Sequence, residues 1–199
     1  MDSLRPGQID ISFATLDRAA NFISAPEGAQ RIDLASGLLL FREVDYLYLA
    51  EGEESLPTDF WPQMDVSPLP LSLPCEFDLG NGWMLSGKSK QPFAPTAPKN
   101  GDPFQVTLDA DALGGKLMLR PRRAGERFHP LGMDGKSMKL SDFFTNVKLP
   151  SRARDRYPLL CSADEILWVP GYRPAHRVRV RESTKRVVVF RIRKSATHL

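Results

Sequence analysis

The 199-residue sequence predicts an α+β fold that is mostly antiparallel β with short helices. A small N-terminal helix and β-meander precede a basic, β-rich domain. Three observations carry this prediction. The apolar runs are short, rich in Leu, Ile, Val and Tyr, and bounded by Gly, Pro and Asp. Helical periodicity is confined to brief segments. The charge also reverses along the chain: residues 1–114 hold 7 Lys+Arg against 17 Asp+Glu, and residues 115–199 hold 20 against 7. The net of +3 therefore joins an acidic segment of −10 to a basic one of +13.

The first element is a helix over 12–23, where Ser12 caps the first turn and Phe13, Leu16, Ala20 and Ile23 recur at helical spacing. Pro26 and Gly28 stop it. Runs at 29–34, 38–44 and 46–50, separated by Ser36-Gly37 and Asp45, form an antiparallel meander that completes a unit over 1–50. Residues 51–75 read as a linker, with an acidic run at 51–54 and then Pro57, Pro62, Pro68, Pro70 and Pro74. That proline spacing excludes helix and allows only extended chain or edge strand. The third segment, 76–199, has strands at 83–86, 104–108 and 116–120, with turns at 99–103 and Gly114-Gly115. Ser141-Asp142 caps a helix through Asn146, and Pro150 opens a second through Arg156. Strands return at 158–162, 165–169, 176–182 and 187–193.

Composition excludes several classes. No apolar run approaches the roughly 20 residues of a membrane span, and residues 1–10 lack the pattern of an export signal, so a soluble, cytoplasmic protein is expected. Cys75 and Cys161 lie too far apart for zinc spacing and are too few for a disulfide framework. They read as reduced thiols. The basic excess is mostly Arg, whose planar guanidinium pairs with phosphate oxygens, so polyanion binding is the expected activity class.

Residues 82–89 satisfy G-x-x-x-x-G-K-[ST] by letter. A phosphate loop needs small residues between a strand and a helix, whereas here Trp83, Met84 and Leu85 fill the run and Pro92 follows. It reads as a strand. Arg177, Arg179 and Arg181 alternate with Val178 and Val180, which as a strand would form an arginine comb on one face. His129, His176 and His198 have no acidic or cysteine partner at metal or triad spacing. Trp168, Phe143 and Phe144 lie in apolar patterns and read as core. No catalytic, metal or cofactor residues are expected in this chain.

From Arg120 to Ile192 the sequence resembles the C-terminal domain of bacterial tRNA(Ile)-lysidine synthetases. Residues 120–133 follow the family pattern R-x-R-x-x-G-[DE]-R-F-x-P-L-G-M, and 139–144 repeat its K-L-S-D-F-F block. Lys148-Leu149-Pro150, then 154–159, then Ile166-Leu167-Trp168-Val169-Pro170-Gly171 and Thr184 continue it in order. More weakly, 11–49, with Gly37-Leu38 and Arg42-Glu43, resembles the region that joins the middle domain of that enzyme to this one.

The resemblance implies a C-terminal portion of a tRNA processing ligase, whether fragment, separate subunit or truncated frame. The family uses ATP to adenylate C2 of the wobble cytidine of an isoleucine tRNA, and lysine then displaces AMP. That chemistry belongs to an N-terminal ATP-pyrophosphatase domain with a Ser-Gly-Gly-x-Asp-Ser loop, which would hold ATP and Mg. This sequence lacks that loop, so the chain alone is expected to be inactive. The implied partners are the acceptor stem of isoleucine tRNA, gripped by a domain similar to one in the phenylalanyl-tRNA synthetase β subunit, and the catalytic domain of the same enzyme. Neither membrane nor DNA is expected. A paired stem offers phosphates, sugar hydroxyls and a shallow groove, which calls for clustered Arg and Lys. The candidate contacts are Arg122, Arg123, Arg127, Lys136, Lys139, Lys148, Arg152, Arg154, Arg173 and Arg177. The alternative from a different class is a protein-interaction domain docking through its basic face.

Overall fold

The computed structural model describes residues 12–25, 29–35, 37–43, 46–65, 67–90, 101–163 and 165–195. The chain divides into two compact units, 1–57 and 58–199. None of its described helices is long and apolar enough to cross a membrane.

In the first unit, helix α1 (Phe13–Ser24) starts at Ser12, whose hydroxyl accepts from the Thr15 amide at 3.3 Å. Strands β1 (Arg31–Asp33), β2 (Leu39–Arg42) and β3 (Leu47–Ala50) form an antiparallel meander in that order. Successive side chains of a strand point to opposite faces. Leu40 accordingly packs with Phe22 and Leu34, while its neighbour Phe41 packs with Ala50 and Leu56. The apolar stripe expected on α1 is out of phase: Phe13 is 84% exposed, Leu16 55% and Ile23 53%. Thr15 and Phe22 are buried instead, with Ala19 packed between them in sequence. Two apolar stripes ran along the helix, and the narrow meander covers only the one on Phe22. Arg42 fixes that choice, donating to the Ala25 carbonyl with its guanidinium 4.3 Å from the Phe22 ring centre.

The second unit begins inside the stretch read as a linker. Gln63, Met64 and Leu71 are buried, and β4 (Leu69–Leu71) pairs with β8 (Leu117–Arg120). Residues 58–75 are therefore part of the fold, and the linker boundaries are corrected accordingly. The prolines are accommodated because β4 is an edge strand, where Pro70 leaves no central ladder bond unmade. Strands β5 (Cys75–Gly80) and β6 (Trp83–Lys90) form a hairpin with Asn81 and Gly82 at positive φ. The Asn-Gly pair is the sequence signal for this turn, and β5 adds a strand to those expected from the sequence.

With β7 (Gln105–Asp109), the remaining strands build two antiparallel sheets. One has the order β13-β12-β11-β8-β4, using β11 (Leu159–Ser162), β12 (Glu165–Val169) and β13 (Arg173–Pro174). The other has the order β5-β6-β14-β7, with β14 (Val187–Lys194) central and long. One core joins them: Leu85, Leu108 and Phe190 from the second sheet, and Leu119, Leu160 and Trp168 from the first. Phe143 and Phe144 are buried in that core, as read.

The phosphate-loop match is indeed strand. Trp83 and Leu85 are buried in β6, and a Cβ on Gly87 would come within 2.7 Å of the Phe190 ring. Gly87 makes room for Phe190. The arginine comb is overturned: His176–Val178 is a 3-10 turn, and no strand runs through Arg179 and Arg181. The registers of the two sheets are completed without it. Val178 is buried, and Arg177 turns back onto the protein.

Between β8 and β11 lies a small subdomain. Strands β9 (Arg127–Phe128) and β10 (Met138–Lys139) form a two-stranded ribbon, followed by α2 (Leu140–Asn146) and α3 (Ser151–Arg154). Helix α2 starts two residues earlier than a cap at Ser141 predicts, with Lys139 at the N-cap and the Leu140 amide donating to the Glu126 carbonyl at 2.9 Å. Phe128, Phe143 and Phe144 anchor the ribbon and α2 in the core, with Phe128 and Phe143 edge to face at 5.1 Å.

Candidate nucleic-acid interface

Nine of the ten candidate cations fall into three groups. The first surrounds the loop between β8 and β9. Arg122, Arg123 and Lys139 line a small pit with Gly125, Glu126, Leu140 and Ser141. Arg127 pairs directly opposite Lys139 in the β9/β10 ladder, so both project from one face of the ribbon. Two like charges facing each other in this way cost stability unless an anion lies between or above them. Arg127 is held by Ser137, with Nε donating to Oγ at 2.9 Å and Nη2 to the carbonyl at 3.2 Å.

A buried ion pair supports this loop. Arg120, 1% exposed, donates through Nη1 and Nη2 to the two carboxylate oxygens of Glu126. Glu126 Oε2 also accepts from the Arg123 amide at 2.7 Å. The carboxylate therefore ties the strand end to the loop that carries Arg122 and Arg123. Arg122 in turn donates from Nε and Nη2 to Asp155 Oδ1, the first at 2.8 Å.

The second group sits where α2 passes into α3. Lys148 is exposed at φ 57°, in the left-handed region after the last turn of α2. Arg154 donates to the Leu149 carbonyl at 2.8 Å and to Thr145 Oγ1 at 3.2 Å. Its pKa is lowered from the ordinary arginine value by burial first and by the nearby Arg122 charge second. This links the second group to the first. Arg152 lies 5.2 Å from the Trp61 ring centre.

The third group lies at the turn after β9. Arg173 Nη1 donates to the Leu131 carbonyl at 3.3 Å, and Lys136 is exposed in the same turn region. Arg177 stands apart from all three groups, spending its donors on the Ala112 and Leu113 carbonyls and on Glu165 at 2.7 Å. It has the role of a structural clamp. Of the histidines, His129 is exposed and His176 is partly buried, while His198 lies outside the described residues. Among the described residues no group of three His, Cys, Asp or Glu side chains is arranged to hold a metal ion.

The surface described so far comes from one stretch of sequence, and that stretch is recognisable. Residues 117–191 match the family described as the TilS substrate C-terminal domain. The basic segment is similar to that family over those residues. A crystal structure of a TilS C-terminal domain superposes with a TM-score of 0.56 at 26% identity, covering 64% of this chain and 96% of that one. The tRNA(Ile)-lysidine synthase of Dehalococcoides mccartyi is 34% identical over 205 residues, covering 96% of this chain and 40% of that protein. That of Parabacteroides distasonis is 46% identical over 82 residues, 41% of this chain and 18% of that protein. The bifunctional protein TilS/HprT of Listeria monocytogenes is 28% identical over 186 residues, 92% of this chain and 27% of that protein. The chain thus spans 40% or less of the length of these relatives.

All ten candidate cations lie inside the TilS-type segment. What sequence reasoning missed were their partners. Arg120 and Glu126 were quoted for the resemblance, yet nothing in the spacing showed that they form the floor of the loop. Asp155 follows Arg154 directly and carried no signal, because its partner Arg122 is 33 residues away.

Proposed function

We propose that this chain is the tRNA-binding C-terminal portion of a tRNA(Ile)-lysidine synthase, gripping the acceptor stem of an isoleucine tRNA through the surface around Arg122, Arg123, Arg127 and Lys139. The observation that supports it is the convergence of these four cations within the TilS-type segment. Clustered guanidinium and ammonium groups with their aromatic neighbours packed inside suit a paired stem, which presents phosphates and hydroxyls rather than unstacked bases. Phe128, Phe143 and Phe144 are all buried in the core.

Conversion of the wobble cytidine to lysidine would take place in a further domain that this chain does not contain. ATP, with Mg, would there supply the adenylate that lysine displaces. The residues here do not fit such a role: the one phosphate-loop match is a strand whose glycine is covered by Phe190. The contribution of this chain is to bind and orient the RNA, in the cytoplasm, as part of a ligase.

The test is a binding titration of the full chain with isoleucine tRNA, an acceptor-stem minihelix and an unrelated RNA duplex, at low and high salt. Preference for the tRNA and minihelix, weakening with salt, is expected. Equal weak binding to all three would overturn stem recognition and turn the basic face into a docking surface for an acidic protein.

A further inference from the structure

Three cationic residues from two separate segments line the same pit. Arg122 and Arg123 come from the loop after β8, and Lys139 from the end of β10. The pit measures about 40 Å³, room for roughly three waters. That suits one tetrahedral anion and excludes a base. Its single acidic lining residue, Glu126, already has both carboxylate oxygens engaged by Arg120. Three cationic residues thus line the pit, and its one acidic lining residue is paired by Arg120.

Arg122 is also oriented. Asp155 takes its Nε and Nη2 edge, which leaves Nη1 directed away from that pair. The Arg123 backbone is pinned by Glu126 at 2.7 Å, so the loop holds its shape without a ligand. A site shaped in advance loses less freedom on binding.

We propose that Arg122, Arg123 and Lys139 together hold one and the same backbone phosphate of the bound RNA. This rests on the RNA-binding reading given above and adds a stoichiometry to it: three cations serve one phosphodiester. The three charges would therefore count once in the electrostatics of binding. Affinity for nucleic acid falls with salt in proportion to the number of phosphates neutralised, so the slope of log affinity against log salt counts phosphates rather than cations.

The experiment measures that slope for the full chain and the acceptor-stem minihelix across a salt series, with Arg122→Ala, Arg123→Ala, Lys139→Ala and the triple variant. All three side chains are at least partly exposed, and unchanged thermal midpoints are expected to show that the variants fold. A shared phosphate predicts single variants that weaken binding about tenfold each while shifting the slope by well under one unit. The triple variant then loses about one unit. Loss of about three units would mean three separate phosphates and would overturn the proposal, as would an unchanged slope. Wild-type chain that fails to bind the minihelix at all would instead sink the RNA-binding reading itself. In a second arm, inorganic phosphate competes at matched ionic strength. Weak competition is expected, because a lone anion lacks the neighbouring contacts of a stem. Displacement of the minihelix by micromolar phosphate would assign the pit to a small free anion and overturn the RNA assignment.

Discussion

Arg122 divides its guanidinium between a carboxylate it already has and a phosphate it is proposed to meet. Its pair with Asp155 is exposed, the side chains being 35% and 75% accessible, and exposed pairs contribute at most about 1 kcal/mol. The carboxylate also lowers the local positive potential, which opposes an approaching polyanion. Asp155→Asn should therefore raise minihelix affinity about threefold at low salt, with the gain vanishing in high salt as screening removes it. Fluorescence anisotropy titrations at two salt concentrations check this. A loss of affinity would mean that Asp155 matters mainly by orienting Arg122. The Arg120–Glu126 pair is a different case, since it is buried and removing one partner would strand the other. That kind of loss costs about 3–5 kcal/mol, and it marks the pair as scaffold for the loop.

Helix α1 shows how an element can carry two apolar faces and use one. Phe22 packs with Leu34 and Leu40, while Phe13, Leu16 and Ile23 remain exposed. Phe22→Ala should destabilise the first unit by about 3 kcal/mol, because it opens a cavity that the short strands are poorly able to close. Phe13→Ser should change its stability by no more than about 0.5 kcal/mol. Urea unfolding followed by circular dichroism separates the two. Equal losses would mean that the exposed stripe is covered in solution. The β9/β10 ribbon is the opposite kind of element. Its strands have two residues each, and their position comes from Phe128 in the core and from the Leu140 amide on Glu126.

The charge reversal and the division into units nearly coincide in purpose and do not coincide in position. The acidic excess extends to residue 114, whereas the second unit begins at residue 58. Residues 58–114 hold 7 Asp+Glu against 3 Lys+Arg, and the strands β4 to β7 within them still complete the fold of the basic unit. Residues 58–199 should accordingly fold alone and bind the minihelix with the same salt slope as the full chain. A fragment starting at 76 would lack β4 and the buried Met64 and Leu71, and should be unstable. Thermal melts and titrations of the two fragments check both statements. A fragment 58–199 that fails to fold would show that the units depend on each other.

The meander, the strands at 159–162, 165–169 and 187–194, and the helices at 140–146 and 151–154 were legible from local pattern. Apolar period, caps and turn residues act over a few positions, and a sequence displays them directly. The basic segment and its family pattern were legible for the same reason. Local pattern did not decide which stripe of α1 is buried, that a proline-rich stretch adds an edge strand, or that Arg177 and its neighbours form no comb. Each depends on which strand pairs with which, and that is settled only when distant segments compete for one core. The pit is the clearest case. Its cations were all named from sequence, but that Arg122, Arg123 and Lys139 converge while Arg177 clamps two carbonyls elsewhere follows from tertiary contacts alone. Side-chain chemistry is legible in the sequence residue by residue, whereas chain folding decides which cationic residues line one pit.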